Sequence, residues 1–598
     1  MAGETYTSPS QPAASVQFNG GLNSTAGSLS LKDNESSDLQ NIDFDKFGSI
    51  LKRNGYSVLS DGTYAVGGSG PAGTITTQSD GLYWFEFDDL GIPVRYAINV
   101  TDGGVYYMDS LDGTWIDITG SVTLTAGSHC DFETFNNKLY ITNGVDKPVQ
   151  WTGTGDAELV PEFVANSYTF VVSGITVDPS VGDTYTNSAV TYTIIYIDLT
   201  GGAGTIIATG ASAPEQTGDL ARATGSGDAT ISYSEATANV NIESAKYVCA
   251  FNNFLFFGNV FVNSVNYPTR SYWSNIRNAY AFAGDQWVEV GLNDGQEISR
   301  LRVLSDRLVV YKDRSIYNIY YTGDSDIPFI MPGGGKSTSN VGCIAPWSVQ
   351  EVENGHLFLA PDGLYYYDGA GSTKLTYRIA KTLDGFNTDY FAGCVSTTYK
   401  KKNMYFLAMP SSSSTTNDTI IVWDYFNNAF SLYKGMAPCS MATFFESGIN
   451  EKPYFADYGG YTYEMDVVGN DNPLGVETAV DSYYYTNWKH YDDICDQKGI
   501  PNAYIYYQSS NSVLTFAYSY DFEQIDQYTM TMNLAPGTSV YGTAVYGTGV
   551  YSGYGGAVQR KDLTSRGRVV RFKFANNALD ETFQIDGFGS LVHLETNV

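Results

Sequence analysis

Histidine is rare in this chain of 598 residues, and the cysteines are not closely spaced in pairs. The four histidines (His129, His356, His490 and His593) include no pair with the spacing of metal ligands. The six cysteines (Cys130, Cys249, Cys343, Cys394, Cys439 and Cys495) form no C-x-x-C motif, so we expect buried free thiols. No G-x-S-x-G elbow and no Walker loop occurs. The sequence therefore predicts no catalytic residue, no metal and no cofactor, and we expect a protein that is not an enzyme.

Long apolar runs and positive charges are also in short supply. No stretch approaches the roughly 20 apolar residues of a membrane helix, so no membrane insertion is expected. Residues 1–15 lack the charged start and apolar centre of a signal peptide, so we expect no use of the general secretory route. Lys and Arg number 33 against 64 Asp and Glu, a net charge of −31. Such a surface repels nucleic acid and anionic membranes, and it indicates either solubility alone or acidic walls along which DNA slides.

Several polar clusters invite a chemical interpretation that their spacing does not favour. Asn41, Asp43 and Asp45 alternate like calcium ligands, but Lys46 stands where an EF-hand loop has glycine, so a surface turn is the preferred interpretation and calcium the alternative. The other clusters are similarly interpreted as non-catalytic: His356 as a core or face residue of a strand, Gly333–Lys336 as a flexible turn, Lys400–Lys402 as a solvated sheet edge, and Ser110–Trp115 as a turn whose glycine is displaced from the sialidase pattern. Paired carboxylates for glycoside hydrolysis carry no information among 64 acids.

Turn signals and alternating strands dominate what is present. The chain has 62 Gly, 48 Tyr and 31 Phe, a composition typical of turn-rich sheets. Residues 348–375 predict four short strands (Ser348–Val352, His356–Leu359, Leu364–Tyr367 and Thr373–Leu375) separated by Asn-Gly and Asp-Gly turns. This is a unit the size of a propeller blade. Similar units recur, and the triplet Phe-Asn-Asn at 135, 251 and 426 marks a hairpin in three of them, which we expect to occupy equivalent positions.

The pattern predicts an all-β chain built around a β-propeller of six or seven sheets, and the length allows two to four domains. We expect an arm and linker at 1–77, with a loop at 61–77, and the first part of the propeller at 78–159. A small β-sandwich is inserted at 160–240, followed by the second part of the propeller at 241–470 and a C-terminal β-sandwich at 471–598. The best helix candidate is Thr376–Leu383. The Tyr/Gly repeat at 540–551 indicates an extended contact loop or a flexible low-complexity loop.

Several stretches resemble proteins from the tails of tailed bacteriophages. GGLN with SSDLQNIDFDKFGSILKRNGY (20–56) is similar to their N-terminal arm, and RLVVYKDRSIYNIYY (307–321) with IAPWSVQEVENGHLFLAPDGLYYYDG (344–369) is similar to their propeller core. Residues 173–233 resemble a β module inserted in phage structural proteins. AYIYYQSSNSVLTFAYSYDF (503–522) and GRVVRFKF (567–574) resemble their C-terminal sandwich. The nearest likeness is to the tail nozzle family of short-tailed phages, also called tail tubular protein B.

The resemblance implies a structural virion protein in the phage tail, assembled in the host cytoplasm. Six copies form a ring below the portal–adaptor complex, seal the tail and conduct DNA during ejection. The implied partners are other copies of the chain, the tail adaptor, tail fibres or spikes, and DNA in transient, non-specific passage. We expect the arm to gain order on assembly and the inserted module to point outward. The alternative is a receptor-binding or glycan-degrading fibre or spike, because Tyr-rich faces stack on sugars.

Overall fold

The structure is a computed structural model that describes residues 11–15, 17–66, 69–446, 449–491, 493–535 and 556–595. The Tyr/Gly repeat at 540–551 lies outside the described residues. The chain divides into two compact units. The barrel unit comprises Ser60–Thr373 and Ala456–Gly460, and the sandwich unit comprises Met1–Leu59, Lys374–Phe455 and Tyr461–Val598.

The N-terminal segment belongs to the sandwich unit and contains short strands. They are β1 (Gln11–Ser15), β2 (Gly21–Leu22), β3 (Glu35–Ser36), β4 (Leu39–Gln40), β5 (Ile42–Phe44), β6 (Ile50–Lys52) and β7 (Gly55–Ser60). Four of them pair with strands from distant parts of the chain: β1 and β6 with β50 (Gln584–Glu595), β4 with β43 (Ser482–Tyr485), and β7 with β42 (Thr462–Val467). The segment predicted to be ordered only on assembly is thus already part of the sheets of its own unit, because its backbone groups find partners there.

The first sheet of the barrel unit has six strands. They are β8 (Thr63–Val66), β9 (Ser69–Thr74), β10 (Ser79–Asp89), β11 (Ile92–Thr101), β12 (Gly104–Asp109) and β13 (Trp115–Asp117), in the order β10-β11-β12-β13-β8-β9. The loop expected at 61–77 is therefore wrong in part, since β8 and β9 form a hairpin whose first strand runs parallel to β13. Tyr64 of β8 packs edge-on against Tyr106 at 5.3 Å, which gives this Gly- and Thr-rich stretch an apolar contact.

The remaining strands of the barrel unit form four more sheets and one barrel. They are β14 (Asp131–Phe135), β15 (Lys138–Thr142), β16 (Val149–Trp151), β17 (Glu158–Leu159); β18 (Ser167–Val172), β19 (Thr184–Asn187), β20 (Val190–Thr200), β21 (Ala203–Gly210), β22 (Gly218–Thr224), β23 (Thr230–Ala238); β24 (Ile242–Phe251), β25 (Phe254–Val262), β26 (Val265–Trp273), β27 (Trp287–Glu289); β28 (Ile298–Leu304), β29 (Arg307–Lys312), β30 (Ile316–Tyr321), β31 (Phe329–Ile330); β32 (Gln350–Val352), β33 (Gly355–Ala360), β34 (Gly363–Tyr367) and β35 (Ser372–Lys374). Each four-stranded sheet keeps the sequential order of its strands. The prediction for residues 348–375 is confirmed strand by strand.

The inserted module is all-β, as predicted, but its strands close on themselves. The order β18-β21-β20-β19-β22-β23 returns to β18, so the module is a six-stranded barrel rather than two stacked sheets. Its core is aromatic, with Phe170, Tyr185 and Tyr192 almost completely buried. Closure leaves no free sheet edge, which suits a small module with few large apolar side chains.

Neighbouring sheets of the barrel unit pack face to face in chain order. Trp151 of the second sheet packs with Phe85 and Ile98 of the first sheet, and Phe257 of the third sheet packs with Tyr140 of the second. The third and fourth sheets share a core, as do the fourth and fifth. This serial packing of four-stranded sheets is the arrangement of β-propeller blades.

The Phe-Asn-Asn triplets do not all occupy the same place. The triplets at 135 and 251 join the first and second strands of their sheets, with both asparagines at positive φ. The triplet at 426 joins the third and fourth strands of its sheet, and of its asparagines only Asn428 has positive φ. There the backbone N–H of Asn427 donates to Asp424, which makes a longer turn. The prediction of equivalent positions is correct for two triplets and wrong for the third.

The conformation of Asn252 leads to a stability prediction. Its φ is 48°, in the left-handed region that costs most residues about 1–2 kcal/mol but that Gly and Asn tolerate. We expect Asn252→Ala to lower the apparent melting temperature, and Asn252→Gly to leave it nearly unchanged. Thermal unfolding followed by circular dichroism measures both, and equal losses in the two variants would contradict this account.

The sandwich unit contains two propeller-type sheets and a C-terminal sandwich. Its remaining strands are β36 (Val395–Tyr399), β37 (Met404–Met409), β38 (Thr419–Asp424), β39 (Ala429–Lys434), β40 (Ser440–Glu446), β41 (Asn450–Ala456), β42, β43, β44 (Gln497–Gln508), β45 (Val513–Tyr520), β46 (Tyr528–Asn533), β47 (Gly556–Asp562), β48 (Arg566–Gly567), β49 (Val570–Asn576) and β50. Strands β36–β39 form one sheet, and β7 completes the sheet β40-β41-β42-β7. The predicted helix is a 3-10 turn (Thr376–Ile379) followed by α1 (Ala380–Leu383). Further 3-10 turns are Pro332–Gly334, Pro346–Ser348, Thr388–Gly393, Lys400–Lys402 and Pro473–Gly475.

The C-terminal sandwich has one sheet of seven strands and one of five. The first has the order β47-β44-β50-β6-β5, with β1 on β50 and β48 on β44, and the second has the order β4-β43-β49-β45-β46. Phe588 of the first sheet lies 4.4 Å from Phe572 and 6.4 Å from Phe516 of the second, between ring centroids. Aromatic rings from the inner faces thus form the core. The all-β fold, with propeller sheets, an inserted β module and a C-terminal sandwich, is confirmed.

Candidate functional site

His356 is a core residue, as the sequence predicts. It is buried in β33, where its Nε2 lies 3.0 Å from the carbonyl of Val303 and its Nδ1 lies 2.9 Å from the hydroxyl of Tyr311. The carbonyl only accepts, so Nε2 carries the proton and Tyr311 donates to Nδ1. Burial lowers the pKa of His356 to about 4, and the ring is neutral at pH 7. Both nitrogens are therefore occupied by structural hydrogen bonds.

The expected surface turn is found at Asp45, which is half-buried and accepts from the backbone N–H of Phe47, whereas Asn41 is buried and Asp43 is half-buried. The Asn41 side chain accepts from Nε of Arg53 at 2.8 Å and donates to the carbonyl of Asp481 at 2.7 Å. Asp43 accepts from the hydroxyl of Tyr433 and lies 3.7 Å from Nζ of Lys402. Two cations of the protein therefore stand beside the oxygens that calcium would need. Among the described residues, no group of three His, Cys, Asp or Glu is arranged to hold a metal ion.

Arg53 is the centre of the buried polar network that attaches the N-terminal segment to the rest of the sandwich unit. Its guanidinium forms two parallel bonds of 2.7 Å with Asp471, and it also donates to the carbonyls of Asn54 and Lys434 at 2.9 Å. Together with Asn41, these partners use all of its N–H groups. The two side chains are only 2% and 8% exposed, so the pair is shielded from solvent and salt.

A second part of the same network contains Lys402, for which the sequence predicts a solvated sheet edge. Its Nζ lies 2.5 Å from Asp466, which also accepts from Tyr399 at 3.0 Å and from Asn54 at 2.7 Å. Burial raises the pKa of Asp43, against the opposing effect of Lys402. A cavity of about 20 Å³ lies between these groups, enough for one water molecule. The network is thus closed and structural, and it has no space for a substrate.

A separate charged cluster lies on the first strands of three sheets in the barrel unit. Asp131 of β14 is bound by Arg300 at 3.0 Å and Arg302 at 3.3 Å, both from β28, and by the backbone N–H of Val248 of β24 at 3.1 Å. Burial raises the pKa of Asp131 to about 6 and that of Glu133, on the same strand, to about 7. The two ion pairs and the hydrogen bond from Val248 therefore link the first strands of three successive sheets.

The remaining predicted features have structural roles. Cys130, Cys249, Cys343, Cys394 and Cys439 are buried free thiols, as expected, while Cys495 is an exposed one. Gly333–Lys336 contains three glycines in the left-handed conformation, and no long helix follows that could hold a phosphate. Ser110–Trp115 is the turn between β12 and β13 and the start of β13. Within the described part of the chain, no helix is long and apolar enough to span a membrane.

Comparisons with known proteins add similarity of fold only. No protein-family profile and no curated protein matches the chain. Among solved structures, it is similar to PorZ, a surface component of the type-IX secretion system of Porphyromonas gingivalis (9% identity, 71% of this chain, 43% of that chain, TM-score 0.34). It is also similar to BamB from Moraxella catarrhalis (12% identity, 65% of this chain, 98% of that chain, TM-score 0.33). A third similar structure is YCF48 bound to a D1 peptide (8% identity, 73% of this chain, 99% of that chain, TM-score 0.33). At these identities and TM-scores, nothing about activity or partners follows.

Proposed function

We propose that this protein is a structural component of a short phage tail, a nozzle subunit whose ring seals the tail and conducts DNA during ejection. Its partners would be five further copies, the tail adaptor, and fibres or spikes, and it would be assembled in the host cytoplasm. It would have no enzymatic activity. The proposal begins from the sequence resemblance, which covers the arm, the propeller core, the inserted module and the C-terminal sandwich.

The order of modules along the chain is the main support. Propeller sheets are followed by an inserted barrel, further propeller sheets and a C-terminal sandwich, in the sequence that the resemblance implies. The N-terminal segment pairs with β43 and β50 of the sandwich and is held there by Arg53. A subunit that lines a channel for DNA needs its terminal segment attached in this way, because an unattached terminus would unfold locally before the rest of the protein.

Surface charge is the second support. Among the described residues, the buried charged side chains include six bases and seven acids: Lys52, Arg53, Arg300, Lys312, Lys489 and Lys498, and Glu35, Asp80, Asp131, Glu162, Asp183, Asp424 and Asp471. Because the buried positive and negative charges nearly balance, almost all of the net charge of −31 lies outside the cores. An acidic surface repels phosphates and lets DNA slide without binding.

The assembly prediction is a closed ring of six chains. We expect purified protein, alone or mixed with a portal–adaptor complex, to form ring-shaped particles in negative-stain electron microscopy, with a native mass of six subunits. Cyclic symmetry closes such heterologous contacts without leaving a free surface for further growth. A protein that stayed monomeric in both conditions would contradict the proposal.

A DNA-binding measurement tests the acidic passage separately. At about 0.15 M ionic strength, the fluorescence anisotropy of labelled duplex DNA should not rise when the protein is added. Acidic walls carry no positive charges that would neutralise the phosphates of the DNA. Tight binding would argue against the sliding mechanism even if rings form. The fibre or spike alternative is tested by incubation with host surface glycan, where release of oligosaccharide would favour it.

A further inference from the structure

A cavity of about 510 Å³ lies where the inserted barrel meets the second and third sheets of the barrel unit. Its walls come from β15, from the β26–β27 connection, and from β18, β20 and β21 of the barrel. This volume is within the range of small-molecule sites. Neither the nozzle proposal nor the sequence motifs account for it.

Arg277 lines this cavity in an unusual backbone conformation. Its φ is 56°, which is uncommon for a large side chain and marks sites where surrounding structure imposes it. Two hydrogen bonds hold it there: its N–H donates to the carbonyl of Asn253 at 2.8 Å, and its carbonyl accepts from Nδ2 of Asn136 at 3.0 Å. The asparagines belong to the two Phe-Asn-Asn hairpins of neighbouring sheets. The hairpins thus position Arg277 at the cavity.

The two cations of the cavity differ in their availability. Lys138 is occupied, because its Nζ lies 3.2 Å from Asp198 and 4.2 Å from the centre of the Tyr280 ring. Tyr280 also donates to the same oxygen of Asp198 at 2.8 Å. The guanidinium of exposed Arg277 forms no ion pair with a carboxylate of the described residues. The cavity therefore offers one uncompensated positive charge.

The other lining groups indicate the class of ligand. Oδ2 of Asp198 accepts from Lys138 and Tyr280, so Oδ1 remains able to accept from a hydroxyl. Thr200, Thr205 and Asn278 add hydroxyl and amide groups, and Val171, Val172, Ala203 and Ala279 add an apolar wall. One guanidinium matches a single negative charge, whereas a dianionic phosphate would leave a charge unpaired beside Asp198. A sugar that carries one carboxylate matches this cavity, because its hydroxyl groups can bond with the polar side chains and its carboxylate with the guanidinium.

We propose that this cavity binds an acidic saccharide, with Arg277 contacting the carboxylate and Asp198 accepting from a ring hydroxyl. Such a site would give the inserted module a role in contacting an acidic polysaccharide of a cell surface. The proposal is independent of ring formation, since every residue belongs to the barrel unit of one chain.

The test uses the purified full chain and two probes that differ only at C6. Methyl β-D-glucuronide should bind at least roughly tenfold more tightly than methyl β-D-glucoside in isothermal titration or saturation-transfer NMR, because a charge-assisted contact is lost in the latter. Arg277→Gln should abolish the preference. Arg314→Gln, which removes an exposed arginine of the same unit, is the matched control and should keep it. Asp198→Asn should weaken both sugars.

The proposal would be overturned by no binding of the glucuronide, by equal affinity for both sugars, or by unchanged affinity in Arg277→Gln with a wild-type melting temperature. Glucose 6-phosphate binding more tightly than the glucuronide would also overturn it, since the site would then favour a dianion. Failure of ring assembly would leave the sugar result interpretable, because the titration requires only the folded chain.

Discussion

Arg53→Met should destabilise the sandwich unit by about 3–5 kcal/mol, the cost of leaving a buried carboxylate without its partner. Arg53 satisfies both oxygens of Asp471, and Asp471 is too buried to recover that loss by hydration. The variant also removes donors from Asn41 and from two backbone carbonyls. We therefore expect a lower apparent melting temperature and faster proteolysis within residues 39–59.

An exposed ion pair provides the control. Arg95 and Glu86 lie 3.0 Å apart, with side chains 33% and 47% exposed. Arg95→Met should cost less than about 1 kcal/mol, because water and salt already screen that pair. The double variant Arg53→Met/Asp471→Leu should recover part of the loss, since it removes the stranded charge. Equal losses of stability in Arg53→Met and Arg95→Met would show that burial of the ion pair does not increase the cost of breaking it.

Glu162→Gln should stabilise the barrel unit at pH 7.5. Glu162 is 0% exposed, and neither carboxylate oxygen has a hydrogen-bond partner among the described residues. Burial raises its pKa well above the ordinary 4.5, against the smaller effect of Lys138. The carboxyl is thus held protonated in the folded state, while the unfolded chain ionises freely.

The sign of the pH dependence follows from that difference. Above pH 4.5, the unfolded state releases the proton of Glu162 and the folded state keeps it, so stability falls as the pH rises. Glutamine cannot ionise, so the variant lacks this loss. The stability gap between variant and wild type should be largest at pH 7.5 and should vanish toward pH 4.5. Denaturant unfolding at several pH values measures it.

Glu215→Gln is the matched control, since Glu215 is an exposed acid of the inserted barrel. That variant should change stability little, and its difference from wild type should be nearly independent of pH. If Glu162→Gln behaved the same way, Glu162 would be ionised in the folded protein, and an unrecognised cation would have to lie beside it.

Local sequence signals predicted the strands better than they predicted their partners. The blade at 348–375 was predictable because its turns need glycine and asparagine at short, regular intervals. The stretch at 61–77 was not, because its strands depend on pairing with β13 and on the contact of Tyr64 with Tyr106. Glycine-rich strands pair weakly on their own, so tertiary contacts decide their conformation.

The candidate sites were less predictable than the fold. Arg53 and Asp471 are separated by 418 positions, and neither has a local pattern that marks it. Lys402 belongs to a basic run typical of a solvated edge, yet the fold places Asp466 against it. Arg277 has no motif of its own, although the two asparagine triplets that hold it were visible as repeats.

The sequence by itself determined an all-β chain with surplus negative charge, because alternation, turn residues and composition act within a few positions. Only the tertiary structure decided that the inserted module closes into a barrel, that the N-terminal segment completes distant sheets, and which charges are buried together. Backbone pairing and ion pairing depend on which segments meet in space, and residues hundreds of positions apart meet only after the whole unit has folded.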